Sequence, residues 1–261
     1  MWLLPSWNRP QNVQRAVESF PDVEVCLWRT PGDPQAAAYD AIKLPAKWVV
    51  RYGVKGDRVG QIFNGFFRAY PNAPFYGFIG DDVVPSPADW NSQLEEAAGG
   101  HFIAYPRDSI HEDRLCPHFC IGGDLVREVG ALALPGLWHS YIDTVWYNLG
   151  EVAELLRYVP SVQFKHYHPL DKSARMDVVY RRGQETHAQD KRTYEFWLKF
   201  LAPKLMTEIR RTFGDPNAPE ICSCEALPAS AVADLSGSDA RVCASGGQGK
   251  RRSAWFGNTV Q

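Results

Sequence analysis

Phe75-Tyr76-Gly77-Phe78-Ile79-Gly80-Asp81-Asp82-Val83-Val84-Pro85 is an apolar run that delivers two adjacent carboxylates and is then stopped by proline. An uninterrupted apolar run of this kind reads as a buried strand, and the proline marks where its ladder ends. Two like charges at the rim of a core raise each other's pKa and are costly to hold there unless a cation relieves them. Mg²⁺ or Mn²⁺ answers that demand, because such hard cations bind through one or two carboxylates and share the oxygens of substrate phosphates. A solvated Asp-Asp turn is the competing reading, so the decision rests on the neighbouring sequence.

Upstream, Trp2 to Pro5 reads as a strand, Ser6 to Pro10 as a turn, and Val13, Val17 and Phe20 recur at helical spacing. A second strand spans Val23 to Trp28 and leaves through Arg29-Thr30-Pro31-Gly32-Asp33-Pro34. A third follows at Lys47 to Tyr52, then a helix over Val59 to Tyr70. Strand and helix alternating at short intervals predict an α/β fold with a mostly parallel central sheet flanked by helices. Ligands then bind beyond the carboxyl ends of the strands, where Asp81 and Asp82 lie. Downstream the pattern predicts a helix over Trp90 to Ala98 and a strand over His101 to Pro106. A helix opened by Gly122-Gly123-Asp124 ends near Leu132, another covers Tyr141 to Leu156, and a strand over Val159 to Tyr167 closes on His166-Tyr167-His168-Pro169.

The order of these pieces is specific. Pro5-Ser6-Trp7-Asn8-Arg9-Pro10 after the first strand and Ile79-Gly80-Asp81-Asp82-Val83-Val84-Pro85 after the fourth resemble the nucleotide loop and the DxD metal motif of GT-A (Rossmann-like) glycosyltransferases. The resemblance covers residues 1 to 170 and implies a metal-dependent transferase that takes a sugar from a nucleoside-diphosphate sugar, a UDP-sugar by preference. It makes Asp82 the ligand of Mn²⁺ or Mg²⁺, with Asp81 toward the ribose or a metal-bound water. Pro5, Ser6, Asn8, Arg9 and Arg29 become nucleotide contacts. A second ligand is expected from His166 or His168, at the end of a late strand. Gly122 and Gly123 would let the backbone approach the sugar, and Asp143, in Trp138-His139-Ser140-Tyr141-Ile142-Asp143, matches the carboxylate that acts as general base in an inverting transfer. Capping of its own helix is the plainer role for Asp143. The chain departs from the family at Gly80, which stands where the motif often has an acidic residue.

Composition narrows the rest. A chain of 261 residues, 45% hydrophobic and with formal net charge −2, exerts no global pull on nucleic acid or membrane. The opening Met1-Trp2-Leu3-Leu4-Pro5 is too short for a signal-peptide core, and no run suits a membrane span, so a cytoplasmic enzyme with no membrane partner is expected. Cys26, Cys116, Cys120, Cys222, Cys224 and Cys243 match no zinc or disulfide framework and read as reduced thiols rather than as a Cys116-Pro-His118-Phe-Cys120 chelate. Residues 171 to 214 are basic and aromatic, with an amphipathic helix over Tyr194 to Met206, and form a helical acceptor-side extension; 215 to 261 reads as a low-complexity tail.

The acceptor is not identified by the sequence. Aromatics at Trp138, Tyr141 and Trp146 beside that basic stretch admit a nucleic-acid acceptor such as a hydroxymethylated base in DNA. Two other readings compete: a nucleotidyltransferase, disfavoured because Pro5 to Pro10 holds no glycine, and a non-catalytic nucleic-acid or partner-binding module.

Overall fold

Trp2, Leu3 and Leu4 are all buried, and because successive side chains leave a strand on opposite faces, the first strand needs helices on both sides. The computed structural model describes residues 1–221, and the readings of Cys222, Cys224, Cys243 and most of the tail lie outside them. The elements run β1 (Trp2–Ser6), α1 (Pro10–Ser19), β2 (Val25–Arg29), α2 (Ala36–Asp40), β3 (Trp48–Tyr52), α3 (Val59–Ala69), β4 (Phe75–Phe78) and β5 (Val83–Ser86). They continue with α4 (Trp90–Ala98), β6 (Ile103–Asp108), β7 (Phe119–Gly122), α5 (Gly123–Val129), α6 (Ile142–Val152), β8 (Leu156–His166), a 3-10 turn at Pro169–Asp171, α7 (Val178–Phe200) and α8 (Ala202–Phe213).

The strands form one sheet in the order β3-β2-β1-β4-β7-β6-β8-β5. Strands β1 to β4 are mutually parallel, β7 runs against both β4 and β6, and β8 is parallel to β6. Two apolar layers cover the faces. Leu3, Cys26, Tyr76, Phe119 and Ile121 face one layer with α3, α5, α6, α7 and α8. Trp2, Leu4, Val25, Leu27 and Cys120 face the other with α1, α2 and α4. Trp2 meets Trp90 edge-on with ring centroids 4.5 Å apart, a geometry that adds about 1 kcal/mol to simple burial. Gly77 makes room for it, since a Cβ there would sit 2.4 Å from the Trp2 ring.

Three local departures have physical causes. Val83 to Pro85, expected to stop the chain, is the strand β5 paired antiparallel with β8, Val83 opposite His166. It lies at the sheet edge, where the missing N–H of Pro85 is tolerated. The helix expected over Tyr194 to Met206 divides at Leu201, because Pro203 is at home in the first turn of α8 but would break the interior of a longer helix. The helix expected to reach Leu156 ends at Val152, and Leu156 instead opens β8. Tyr194, Trp197, Leu198, Leu205, Met206 and Ile209 join the same apolar cluster as the sheet, so α7 and α8 share the core of residues 1–170. Ala218 and Ile221, in the first part of the expected tail, are buried as well.

Candidate functional site

The strand directions set the site. β4, β6 and β8 are parallel to one another through β7, so the residues that follow or close them lie at one edge of the sheet: Asp81 and Asp82 after β4, Asp108 ending β6 and His166 ending β8. Because β7 runs the other way, that edge receives its beginning, where His118 stands immediately before Phe119. Five donor residues from four segments therefore meet.

His166 joins the two carboxylates. Its Nδ1 lies 3.1 Å from Asp108 Oδ2 and its Nε2 lies 3.6 Å from Asp82 Oδ1. His118 Nε2 is 3.8 Å from the same Asp108 oxygen, and its Nδ1 accepts the Gly80 N–H at 3.3 Å. His118 Nε2 is buried and has no hydrogen-bond partner among the described residues. Asp108, His118 and His166 each offer a ligand atom within 4.8 Å of the others, so this cluster is able to hold a metal ion. Gly80 is part of the fit. A Cβ on it would fall 2.7 Å from Asp82 Oδ1 and 3.1 Å from His118 Cε1, which accounts for glycine where the motif often carries an acid.

Charge is distributed unevenly over these groups. Burial lowers the His118 pKa to about 3, helped by the neighbouring His166 charge, so this imidazole is neutral. Burial also acts against the imidazolium of His166, but Asp108 and Asp82 outweigh it and raise that pKa to about 9. For Asp82 and Asp108, burial favours the acid, yet His166 overrides it and holds both below the usual carboxylate range. Asp81, beside Asp82, is pushed up to about 6 by burial, partly offset by Arg9.

The first loop closes the other side. Ser6 Oγ donates to Asp81 Oδ2 at 2.6 Å, and Arg9 Nη1 reaches Asp81 Oδ1 at 3.1 Å and Asp82 Oδ2 at 3.5 Å. Arg9 also makes a two-pronged contact with Asp177, through Nε at 2.7 Å and Nη2 at 2.9 Å, and lies 4.0 Å over the ring of Tyr180. Tyr180 OH donates to Asp82 Oδ2 at 2.9 Å. The start of α7 thus rests on the acid pair. Arg182 of the same helix stacks 4.9 Å from Trp7.

Of the residues singled out in the sequence, Ser6, Arg9, Asp81, Asp82 and His166 come together here. Pro5 continues β1 beneath them, and Asn8 exchanges contacts with Asp33 and Gln35 instead of with the acid pair. His168 is nearby, its ring 5.3 Å from that of His166, but its Nδ1 accepts the Leu170 N–H. Arg29 pairs with Asp40 at 2.6 Å and donates to the Ala36 carbonyl rather than joining the acid pair. Gly122 and Gly123 lie elsewhere. Gly122 pairs with Phe75 at the opposite end of β4 from Asp81, and Cβ atoms on the two glycines would strike the backbones of Gly100 and Ala73. They are packing glycines, remote from the acid pair. Asp143 accepts the Thr144 N–H at 2.8 Å at the start of α6, and burial raises its pKa.

Sequence reading missed Asp108, Asp177 and Tyr180 as members of the site and saw His118 only between two cysteines. A carboxylate at the carboxyl end of a strand was the available signal for Asp108. Further along the same edge, Trp28, Tyr52, Gly53, Asp57, Gln61 and Arg68 line a cleft of about 450 Å³.

No protein-family model matches the chain, and no curated protein matches it either. Solved structures do. A structure of GalNAc-T7 with UDP, GalNAc and Mn²⁺ superposes with a TM-score of 0.51 at 10% identity, over 77% of this chain and 58% of that one. A structure of TarS from S. aureus gives 0.50 at 10% identity, over 83% of this chain and 44% of that one. The chain thus spans about half the length of these two proteins. At such identity the likeness carries the fold: the mixed sheet between two helical layers has the GT-A architecture.

Proposed function

We propose that this protein is a metal-dependent glycosyltransferase that moves a sugar from a nucleoside diphosphate, UDP by preference, to an acceptor hydroxyl. The observation that carries the reading is the placement of Asp82 Oδ1 3.6 Å from His166 Nε2 at the carboxyl edge of the sheet. The donor set fits Mn²⁺ or Mg²⁺: carboxylate oxygens with one imidazole suit hard or borderline divalent cations, and the acid pair is the kind of charge that such an ion relieves. A divalent cation held there would neutralise the diphosphate as it departs.

The chain's own residues supply the remaining steps. The cleft lined by Trp28 and Tyr52 is of a size to receive the nucleoside. Arg9, now facing Asp81, Asp82 and Asp177, is a cation beside the place where phosphates would lie. Asp143 takes the proton of the attacking hydroxyl in an inverting transfer; its raised pKa suits a base, and His111 lies within electrostatic reach of both Asp143 and His118. The acceptor side is assigned to α6 and α7, where Trp138 and Tyr141 stand near Arg58 and His187. A nucleic-acid acceptor fits that aromatic and basic surface.

Thermal melting with UDP, UDP-GlcNAc and UDP-GalNAc, with and without Mn²⁺, tests the reading. A bound nucleotide at about 100 times its Kd stabilises by about 2.7 kcal/mol, a shift of several degrees. Asp82→Asn should abolish the Mn²⁺-dependent part. Shifts that are equal with and without Mn²⁺, or that persist in the variant, would reject a metal-dependent donor site.

A further inference from the structure

We infer that Asp108 is a positioning residue for the metal centre: it fixes the His166 ring so that Nε2 faces Asp82, and neither Asp108 nor His118 is itself a ligand. The inference rests on the metal-dependent reading above. The close approach of Asp108, His118 and His166 also admits a different centre, with the ion among those three. The hydrogen bonds distinguish the two.

A neutral imidazole has one ring nitrogen that donates and one that accepts. His118 Nδ1 accepts the Gly80 N–H at 3.3 Å, so the proton of the neutral ring is on Nε2, the atom directed at Asp108 Oδ2 from 3.8 Å. That nitrogen has no lone pair for a metal. Asp108 is similarly engaged. Its Oδ1 accepts the N–H groups of Ile110 and His111 at 2.9 and 3.0 Å, and its Oδ2 is 3.1 Å from His166 Nδ1. It is 1% exposed, the deepest of the three carboxylates. Asp108 holds the His166 proton on Nδ1, so the proton that a metal ion would displace is the one on Nε2, and the lone pair so freed lies 3.6 Å from Asp82 Oδ1. Two ligands of one ion at about 2.1 Å each subtend such a separation. Carboxylate, histidine and metal in series is the usual way in which a ligating imidazole is oriented. His166 N–H, donating to Ser109 Oγ at 2.9 Å, pins the backbone of the same residue.

Mn²⁺ binding to the full chain decides the matter, followed by electron paramagnetic resonance with nitrogen-resolved echo modulation. The wild type should show coupling to a single histidine nitrogen, lost in His166→Gln and retained in His118→Gln. Asp108→Asn should weaken Mn²⁺ binding by about 10- to 100-fold with that coupling still present. Two coupled nitrogens in the wild type, or Mn²⁺ affinity in Asp108→Asn equal to wild type, would overturn the positioning role while leaving metal dependence standing. Absence of any Mn²⁺ binding by the wild type would overturn both. Circular dichroism of each variant separates these results from misfolding.

Discussion

At the scale of single residues, Gly80 and Arg9 decide what the acid pair can do. The missing Cβ of Gly80 lets Asp82 and His118 approach the turn from two sides, so the glycine is required by the packing of these two side chains. Gly80→Ala should leave the overall fold intact and push Asp82 Oδ1 away from its 2.7 Å approach, weakening Mn²⁺ binding by at least about tenfold, or about 1.4 kcal/mol. Titration calorimetry reads this directly, and an unchanged affinity would mean that the turn yields without moving Asp82. Arg9 plays the opposite part. With Asp81, Asp82 and Asp177 all around it, its positive charge relieves the same repulsion that a divalent ion would. Such a buried network is costly to break at one member, because the charges left behind have no water to solvate them.

At the scale of elements, α7 reaches the acid pair through its first turn. Asp177 caps the helix, accepting the N–H groups of Val179 and Tyr180 at 2.9 and 3.0 Å, while its charge holds Arg9. The two roles separate by substitution. Asp177→Asn keeps a capping oxygen and loses the ion pair; Asp177→Ala loses both, and a cap is worth about 1 kcal/mol. Hydrogen exchange of the Val179 and Tyr180 amides should therefore quicken about fivefold to tenfold more in Asp177→Ala than in Asp177→Asn, whereas equal protection in the two would deny the cap. This docking was not legible in the sequence. Strands β1 to β4, β6 and β8 and helices α1, α3 and α4 were, because their apolar periodicity reports burial on one or two faces, whereas the four-residue strands β5 and β7 were not. Asp108, Asp177 and Tyr180 reach the acid pair, directly or through His166 and Arg9, by contacts across 58 to 168 residues of chain, and no local pattern encodes which distant polar group completes a site. The same limit explains Gly122 and Gly123. A Gly-Gly turn has one signature whether it admits a ligand or another stretch of backbone, and here Gly100 and Ala73 occupy the space.

At the scale of the whole molecule, the ionisable groups that gather at one edge make stability depend on pH. His166 is held protonated to about 9, against 6.5 in the unfolded chain. A raised pKa means that the folded state binds the extra proton, so the stabilisation is complete below pH 6.5 and is lost as the pH rises toward 9. Cys26 acts in the same direction higher up: burial raises its thiol to about 11 from 9, so the unfolded chain ionises first and folding weakens above pH 9. On the acid side His118 resists its proton down to about 3, and stability falls as the pH drops from 6.5 toward that value. Asp81, pushed up to about 6, works against that fall by taking a proton readily in the folded state. The metal-free protein, kept in EDTA, should accordingly be most stable near pH 6.5. Its melting temperature should fall on going to pH 9.5 by roughly 5 to 10 °C, the equivalent of at most about 3 kcal/mol from His166. His166→Gln should flatten that alkaline limb between pH 6.5 and 9, leaving the decline from the buried thiols Cys26, Cys116 and Cys120 above pH 9, and scanning calorimetry at half-unit intervals distinguishes the two. A wild-type curve level from pH 6.5 to 9 would show that Asp82 and Asp108 do not hold the imidazolium between them, and with that the geometry on which the proposed metal centre depends would have to be redrawn.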